Sequence, residues 1–322
     1  MSKVCIGIDL GGTFIKLAAM DEHKKTFGIM QVPTPQNGAE SVAGGMVEGA
    51  KLLMSRNNIS PSNVLGVGIG SPGPLNREKG IVVASPNIEG FRNYPLRDRV
   101  QAGLGLPADL ENDANAAAFG EFLCGAGQEV RSLVLLTLGT GVGGGIVIDG
   151  KVWHGSHDFG AEIGHMIVQP GGVLCGCGQH GCLEQYASAT FLAKRAAEAI
   201  KKGRTSSLAG VLASNGSLDA VDVNTARKAG DALAGEIWDQ AVYHLAVACV
   251  SLERILDCEM IVVAGGLTKA GDDLMTPLQK YYAELDWKLT PQMSRLAIAR
   301  LGNDAGVIGA AGVAWDTFGS QK

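Results

Sequence analysis

The sequence predicts a two-lobed protein of the α/β class, and three observations support that prediction. The chain has 322 residues, 46% of them hydrophobic, which exceeds one average domain and can bury one large core or two smaller ones. Short apolar segments with the length of strands alternate with longer segments that have helical periodicity. Two glycine-rich turns of the same design lie about one lobe apart, so the second lobe repeats the plan of the first.

The first lobe begins with two strand-like segments that flank a glycine turn. Residues 3–10 (KVCIGIDL) and 14–20 (FIKLAAM) lie on either side of GGT, and residues 64–70 (VLGVGIG) form another apolar strand. Residues 38–56 are long and periodic enough for a helix.

The second lobe shows the same order of elements. Residues 132–138 (SLVLLTL) and 143–149 (GGGIVID) flank a glycine turn, and residues 260–267 (MIVVAGGL) predict a strand that enters another turn. Helices are expected from about residue 230 to 256 and over 305–318. The sequence LENDANAAAFGEF marks the boundary, which predicts a small lobe over residues 1–112, completed by 305–322, and a large lobe over 113–304.

Charge and composition exclude several classes of partner. The chain has 27 basic and 32 acidic residues without long runs of either sign, so neither nucleic acid nor a membrane surface is an expected partner. The apolar run near the N-terminus stops at Asp9 and is too short for a signal-peptide core. The uncharged stretch 132–148 resembles a membrane span in hydropathy, but its glycines favour strand, turn and strand. We therefore expect a cytoplasmic protein with small-molecule partners.

Three of the seven cysteines, Cys175, Cys177 and Cys182, lie within eight residues of one another. An odd cysteine count and a reducing compartment disfavour a disulfide framework. Together with His165 they make a Cys₃His set without an open position, which is typical of structural zinc. Because the C-x-C-x₄-C spacing is not the usual paired knuckle, a reactive CxC thiol pair is the alternative.

The glycine turns are candidate phosphate-binding sites. IDLGGTFIK and LGTGVGGG each place glycines and a threonine hydroxyl at a hairpin tip, where backbone N–H groups can meet phosphate. Asp9 is placed to hold a water of Mg²⁺, and AGGL can receive a nucleotide base or sugar on bare backbone. Each turn alone is equally typical of an ordinary hairpin. The candidate nucleotide-binding residues are Asp9, Gly11, Gly12, Thr13, Gly139, Thr140, Gly141, Gly265 and Gly266.

These motifs together resemble a known family. DLGGT, LGTGVGGG and AGGL resemble the phosphate and adenosine motifs of the actin-like, sugar-kinase ATPase fold, in which two ribonuclease-H-like lobes flank a cleft. AEIGHM followed by CGCGQHGCLEQYAS resembles the ROK family (repressors, open reading frames, kinases). The resemblance covers residue 9 to about 312. It implies an ATP-dependent kinase that phosphorylates the 6-hydroxyl of a hexose, with D-glucose as the expected substrate.

The resemblance also implies roles for individual residues. Phosphoryl transfer to a hydroxyl needs a carboxylate that can accept the proton, and Asp113 in LENDAN matches the general base of the family. Taken alone, Asn112 and Asp113 before a helix are more typical of an N-cap. Glu162 and Glu184, taken singly, are more typical of surface charges, and His165 of a histidine with its hydrogen bonds satisfied. Glu111 should point away from its neighbour, since side chains alternate along a strand. The implied sugar-binding residues are Asn87, Asn112, Asp113, Glu162, His165 and Glu184, and the implied ligands of structural zinc are His165, Cys175, Cys177 and Cys182.

Alternatives within this resemblance concern substrate and class. Kinases for N-acetylmannosamine, N-acetylglucosamine or fructose share these residues, and polyphosphate replaces ATP in a related branch. A non-catalytic sugar sensor of the same family is a further alternative, although the phosphate hairpin begins at Asp9 and leaves no room before it for a DNA-binding segment. Relatives are dimers or tetramers, so a homo-oligomer is expected.

Overall fold

The protein is described by a computed structural model that covers residues 2–85, 88–289 and 293–319. Contacts between Cα atoms divide it into two compact units. The first takes in the described residues up to 133, residues 145–161 and those from 299 onward, and the second takes in residues 134–144 and 162–298. No helix in the described ranges is both long and apolar enough to cross a membrane.

The elements before residue 125 belong to the first unit. They are, in chain order, β1 (Val4–Leu10), β2 (Phe14–Asp21), β3 (Thr26–Pro33), α1 (Ala39–Arg56), β4 (Val64–Ser71), β5 (Leu75–Asn76), β6 (Ile81–Ala84), β7 (Arg92–Tyr94), α2 (Leu96–Leu104), β8 (Ala108–Asn112) and α3 (Asp113–Cys124). Their main sheet has the order β3-β2-β1-β4-β8, with an antiparallel hairpin followed by parallel strands. A smaller sheet has the order β5-β6-β7.

The remaining elements repeat this sheet order. They are β9 (Leu133–Leu138), β10 (Val142–Ile148), β11 (Lys151–Val152), α4 (Glu184–Ala187), α5 (Ala189–Lys201), α6 (Leu208–Asn215), α7 (Ala220–Lys228), α8 (Ala232–Leu256), β12 (Met260–Ala264), α9 (Asp272–Leu285), β13 (Arg295–Ile298) and α10 (Ala305–Phe318). The second sheet has the order β11-β10-β9-β12-β13, which is the order of the first sheet with each strand replaced by its counterpart. The predicted repetition of one plan is confirmed.

The predicted strands and helices are confirmed at nearly the expected bounds. The helix expected over 305–318 is α10, and those expected over 38–56 and 230–256 are α1 and α8. In the first unit α10 packs on α3. Helix α3 therefore belongs to the same compact unit as the residues before the predicted boundary at 112. The division into lobes at residues 112 and 113 stays a prediction.

Close backbone contact holds α10 in the first unit. A Cβ at Gly309 would lie 1.6 Å from Ala116 O, and one at Gly68 would lie 1.8 Å from Ala310 O. Glycine at these positions lets the helix approach both α3 and β4 at backbone distance. The packing of α10 fixes the ends of β1 and β8 because both strands belong to the sheet beneath it.

Substituting Gly309→Ala is expected to lower the free energy of unfolding by about 2–3 kcal/mol, since the added methyl group overlaps backbone that can move little. Gly44→Ala is the matched control, because Gly44 is an exposed residue of α1 with nothing within 4 Å of an added Cβ. It should raise stability by about 0.5–1 kcal/mol. Urea denaturation of both variants measures the difference, and equal stability would contradict the packing described for α10.

Candidate functional site

The tip of the β1–β2 hairpin carries the first predicted phosphate-binding residues. Gly11 donates its N–H to Phe14 O at 3.0 Å, and Thr34 Oγ1 donates to Gly11 O at 2.7 Å, which fixes the turn. Gly12 and Thr13 are exposed, and a side chain on Gly12 would meet nothing within 4 Å. The tip therefore presents bare backbone and a hydroxyl to solvent.

Asp9 lies near the end of β1, against the first turn of α10. A Cβ at Gly306 would lie 2.6 Å from Asp9 Oδ2. Burial raises the pKa of Asp9 to about 7, and the carboxylates of Asp113 and Asp304 add to this rise against the opposing charge of Lys16. A bound divalent cation would relieve this excess of negative charge, so the carboxylates fit a site for Mg²⁺.

Asn112 and Asp113 lie at the junction between β8 and α3. Asn112 Oδ1 accepts hydrogen bonds from the N–H groups of Ala114 at 2.9 Å and Asn115 at 3.2 Å, so it is the N-cap of α3. Asp113 Oδ1 also accepts from Ala114 N at 2.9 Å. Burial raises the pKa of Asp113 above its ordinary value although these hydrogen bonds oppose the rise. A carboxylate that holds its proton more readily is suited to accept one from a hydroxyl.

A partly buried network that sequence reasoning missed lies beside this junction. Glu111 is 1% exposed, and its Oε2 lies 2.7 Å from His154 Nε2 and 3.3 Å from Arg77 Nε. The side chain is buried, whereas its predicted direction away from its neighbour stays a prediction. Arg77 and His154 had no sequence signal of their own, since each is a single basic residue in a loop or strand end.

The β9–β10 hairpin carries the second predicted phosphate turn. Gly139 donates its N–H to Gly141 O at 3.0 Å, and Thr140 is exposed. Glu184 Oε2 accepts from Val142 N at 3.1 Å, and a Cβ at Gly141 would lie 2.3 Å from the same oxygen. The Glu184 carboxylate, which is predicted to bind sugar, is therefore hydrogen-bonded to the backbone of this hairpin.

Glu162 precedes a short 3₁₀ turn over Ile163–His165, which ends with His165 and packs on the same hairpin. A Cβ at Gly164 would lie 2.0 Å from Val142 O, so glycine is required at this contact. Glu162 is exposed, and its carbonyl accepts from His165 N at 3.0 Å. The turn and Glu184 thus both contact Val142, the turn at its carbonyl oxygen and Glu184 at its N–H.

Gly265 and Gly266 follow β12 at the predicted adenosine position. Gly265 has φ +89°, and a Cβ there would lie 2.4 Å from Leu138 O at the end of β9. Gly266 is exposed, with nothing within 4 Å of an added Cβ. The second unit therefore places this glycine pair next to the strand that leads to Thr140.

The four predicted zinc ligands converge. His165 Nδ1 lies 3.7 Å from Cys175 Sγ, Cys177 Sγ lies 3.6 Å from Cys182 Sγ, and all four donor atoms lie within 4.8 Å of one another. A tetrahedral zinc ion with Zn–S bonds of about 2.3 Å requires ligand separations of about 3.8 Å. The donor set and its spacing are compatible with zinc, and the cysteines are free of disulfide bonds.

Two thiols of the cysteine loop have pKa values shifted in opposite directions. The N–H of Gln179 lowers the pKa of Cys177 to about 6, whereas burial and the neighbouring thiols raise that of Cys182 to about 12. A second thiolate in this group is disfavoured by burial and by the first, and a cation among the sulfur atoms offsets both costs.

Gln185 and Tyr186 support the cysteine loop, and sequence reasoning missed both. Gln185 Nε2 donates to Cys175 Sγ at 3.5 Å, and Tyr186 Oη accepts from Val173 N at 3.0 Å. They directly follow Glu184, so the sequence signal was their position in LEQYA after the third cysteine.

The candidate residues therefore form groups on both units. On the first unit Asp9 and Asp113 lie close enough for their charges to interact, and on the second Glu162, His165 and Glu184 surround one hairpin and adjoin the cysteine loop. Asn87 lies outside the described residues.

Comparison with known proteins places these features in context. Residues 5–317 match the model of the ROK family. A glucokinase of Halalkalibacterium halodurans is 39% identical over 306 residues, which cover 94% of this chain and 92% of the relative. The ROK hexokinase from Thermus thermophilus superposes with a TM-score of 0.85 at 33% identity, covering 98% of each chain. A ROK family glucokinase from Streptomyces griseus in complex with glucose and AMPPNP gives a TM-score of 0.75 at 34% identity, covering 97% of this chain and 99% of the other. The predicted fold class is confirmed.

Proposed function

The chain belongs to the ROK family, and on that premise we propose that it is an ATP-dependent glucokinase that phosphorylates D-glucose at the 6-hydroxyl. The observation that carries the proposal is the position of Asp113 at the β8–α3 junction, with a pKa raised by burial and with Asp9 close by. Relatives of similar length and 35–39% identity are glucokinases, which favours glucose among the hexoses.

Asp113 acts as the general base. Its carboxylate accepts the proton of the 6-hydroxyl as that oxygen attacks the γ-phosphorus of ATP, and the bond to the β,γ-bridging oxygen breaks. A positioned base contributes a factor of about 10²–10⁴ to the rate. The first turn of α3, capped by Asn112, orients the carboxylate through Ala114 N.

The hairpin tips and the glycine pair bind the nucleotide. Gly11, Gly12 and Thr13 on one unit, and Gly139, Thr140 and Gly141 on the other, offer N–H groups and hydroxyls to phosphate oxygens, and Gly265 and Gly266 lie against the adenosine. Mg²⁺ supplies charge neutralisation on the phosphates when bound. Asp9 would hold it, through a water, and would lose its own proton in doing so.

Glu162, His165 and Glu184 bind sugar hydroxyls, together with Asn112, Asp113 and Asn87. Carboxylates accept from hydroxyl groups, and a site that pairs each hydroxyl rejects analogues that lack one. His165, Cys175, Cys177 and Cys182 hold a structural zinc ion, and His165 has a second ring nitrogen that remains for the sugar. Zinc thus orients the sugar-binding residues and takes no part in the transfer.

We further propose that the enzyme works in the cytoplasm as a homo-oligomer, a dimer or a tetramer. The seven free cysteines suit a reducing compartment. Light scattering after size exclusion measures the mass of the particle, and a monomer would contradict the oligomer.

A coupled ADP-release assay tests the function. The panel contains glucose, fructose, mannose, N-acetylglucosamine and N-acetylmannosamine, each with ATP as donor. The same sugars are tested with polyphosphate by measuring the sugar phosphate formed, since that donor releases no ADP. We expect the largest kcat/KM for glucose with ATP. A larger value for another sugar would reassign the substrate, and glucose binding without ADP release would favour a sugar-sensing protein.

The pH dependence of kcat/KM for glucose reports the ionisation of Asp113 in the free enzyme. Because burial raises its pKa, the acidic limb of the profile should lie above the ordinary aspartate value of about 3.9. Activity should fall as the pH drops through that limb, since a protonated Asp113 cannot accept a proton. An acidic limb at or below the ordinary value would argue against Asp113 as the base.

A further inference from the structure

Glu111 is a buried carboxylate that the proposed phosphoryl transfer leaves without a task. It is 1% exposed at the end of β8, directly before Asn112 and Asp113. Its Oε1 accepts from Asn112 N at 2.9 Å and from Asn115 Nδ2 at 3.1 Å. One oxygen therefore ties the last residue of the strand to the first turn of α3.

The other oxygen meets two basic side chains. His154 Nε2 lies 2.7 Å and Arg77 Nε 3.3 Å from Glu111 Oε2. Burial opposes ionisation, but the His154 hydrogen bond and the charges of Arg77 and His154 prevail and lower the pKa of Glu111. The carboxylate is therefore ionised, and both of its oxygens have partners.

The partners of Glu111 are themselves attached to separate parts of the first unit. Arg77 Nε, which forms the ion pair with Glu111, donates its hydrogen bond to Leu110 O at 3.1 Å, and Arg77 N donates to Asp158 Oδ2 at 3.1 Å. Asp158 and His154 belong to the same loop, which follows β11. One carboxylate thus connects β8, α3, the residues after β5 and this loop.

A buried carboxylate paired with partly exposed basic side chains is a costly way to gain stability alone, because apolar residues of the same volume often serve as well or better. Its advantage is a defined geometry, since each charged hydrogen bond fixes distance and direction. Fixed geometry has a use here, because a displacement of about 1 Å in a reacting group can cost a factor of 10² in rate.

We infer that Glu111 is a positioning residue for phosphoryl transfer, which with Arg77 and His154 fixes the β8–α3 junction so that Asp113 faces the attacking hydroxyl. This inference rests on the proposed function. In this inference Glu111 acts through Asn112 N and the Asn115 side chain on Asp113, which lies between them in the chain.

The test is the variant Glu111→Gln, which keeps the shape but loses the charge. We expect kcat to fall about 10- to 100-fold while KM for ATP and the Kd for glucose change less than about threefold, because the effect is on geometry at the reacting atoms. In an Asp113→Asn background the same substitution should cause no further loss of residual turnover, since a positioning residue acts through the base.

Glu121→Gln is the matched control. Glu121 is equally buried in the same unit, and it accepts from Ala126 N at 2.8 Å, Arg300 N at 3.0 Å and Leu301 N at 2.7 Å, away from the junction. Its loss should lower the melting temperature and leave kcat within about twofold. A merely structural role for Glu111 would make the two variants behave alike.

If Glu111→Gln does not fold, His154→Ala decides, because His154 is more exposed and its removal leaves the rest of the network in place. A fall in kcat that disappears in the Asp113→Asn background supports the inference. Wild-type kcat in either single variant, or losses that add to that of Asp113→Asn, would overturn it. Absence of glucose phosphorylation by the wild-type protein would instead refute the proposed function, so the two failures are distinguishable.

Discussion

Asp113→Asn is expected to lower kcat for glucose phosphorylation by a factor on the order of 10² or more while glucose affinity stays within about tenfold. Asparagine keeps the shape and the hydrogen bond to Ala114 N, but it cannot accept the proton of the 6-hydroxyl. Steady-state kinetics give kcat, and titration calorimetry gives the glucose Kd. Turnover near that of the wild type would contradict the assignment of Asp113 as the base.

Thermal stability separates loss of the base from loss of the fold. Because burial raises the pKa of Asp113, the folded protein holds this proton more tightly than the unfolded chain does. The stability from this group is therefore present below the unfolded pKa and is lost as the pH rises through the folded pKa. Asparagine has no charge to bury, so the variant should be at least as stable as the wild type at pH 7. A lower melting temperature would show that the substitution also damages the fold.

Cys177→Ser is expected to lose zinc and to weaken glucose binding while nucleotide binding survives. Cys177 supplies one of four converging donors, and serine is not an effective zinc ligand. His165 and the loop before Glu184 would lose their common attachment, which disturbs residues proposed to bind sugar. The nucleotide residues of the first unit lie apart from this loop in the chain and should keep their geometry.

Elemental analysis and calorimetry with glucose and with an ATP analogue measure these effects. The wild type should contain about one zinc ion per chain, as expected for a closed Cys₃His site. Cys124→Ser is the control, since Cys124 lies in the first unit outside the cluster and its variant should keep zinc and glucose affinity. Unchanged glucose affinity in metal-free protein, or a reversible disulfide between Cys175 and Cys177 that tracks activity, would favour a redox role.

The parts of the structure that could be predicted from the sequence are those that local sequence patterns determine. Helix α10 was predicted at its bounds because residues 305–315 form one uninterrupted run of apolar residues and glycine, and it is buried along most of its length. The zinc ligands could be named because soft donors are rare and three of them lie close together in the chain. The β1–β2 hairpin was predicted from two apolar runs around a glycine turn.

The parts of the site that could not be predicted from the sequence depend on contacts between residues that are far apart in the chain. His154 meets Glu111 across 43 residues, and Glu184 meets Val142 N across 42 residues, so no local pattern reveals either pair. From the sequence, Asn112 could be either a helix N-cap or a sugar-binding residue. The structure shows that it is the N-cap of α3, and its contact with sugar stays a prediction. Strand β13 has only four residues and helix α9 contains Pro277, and neither was predicted from the sequence.

The central claim is that this chain transfers the γ-phosphoryl group of ATP to the 6-hydroxyl of glucose. Phosphorus NMR of the wild-type enzyme with Mg²⁺, ATP and glucose tests it most directly, because it identifies every phosphorus-containing product in one sample. We expect ADP and glucose 6-phosphate in equal amounts, with Asp113→Asn forming the same products far more slowly. Inorganic phosphate in place of the sugar phosphate, or phosphate on another hydroxyl, would contradict it.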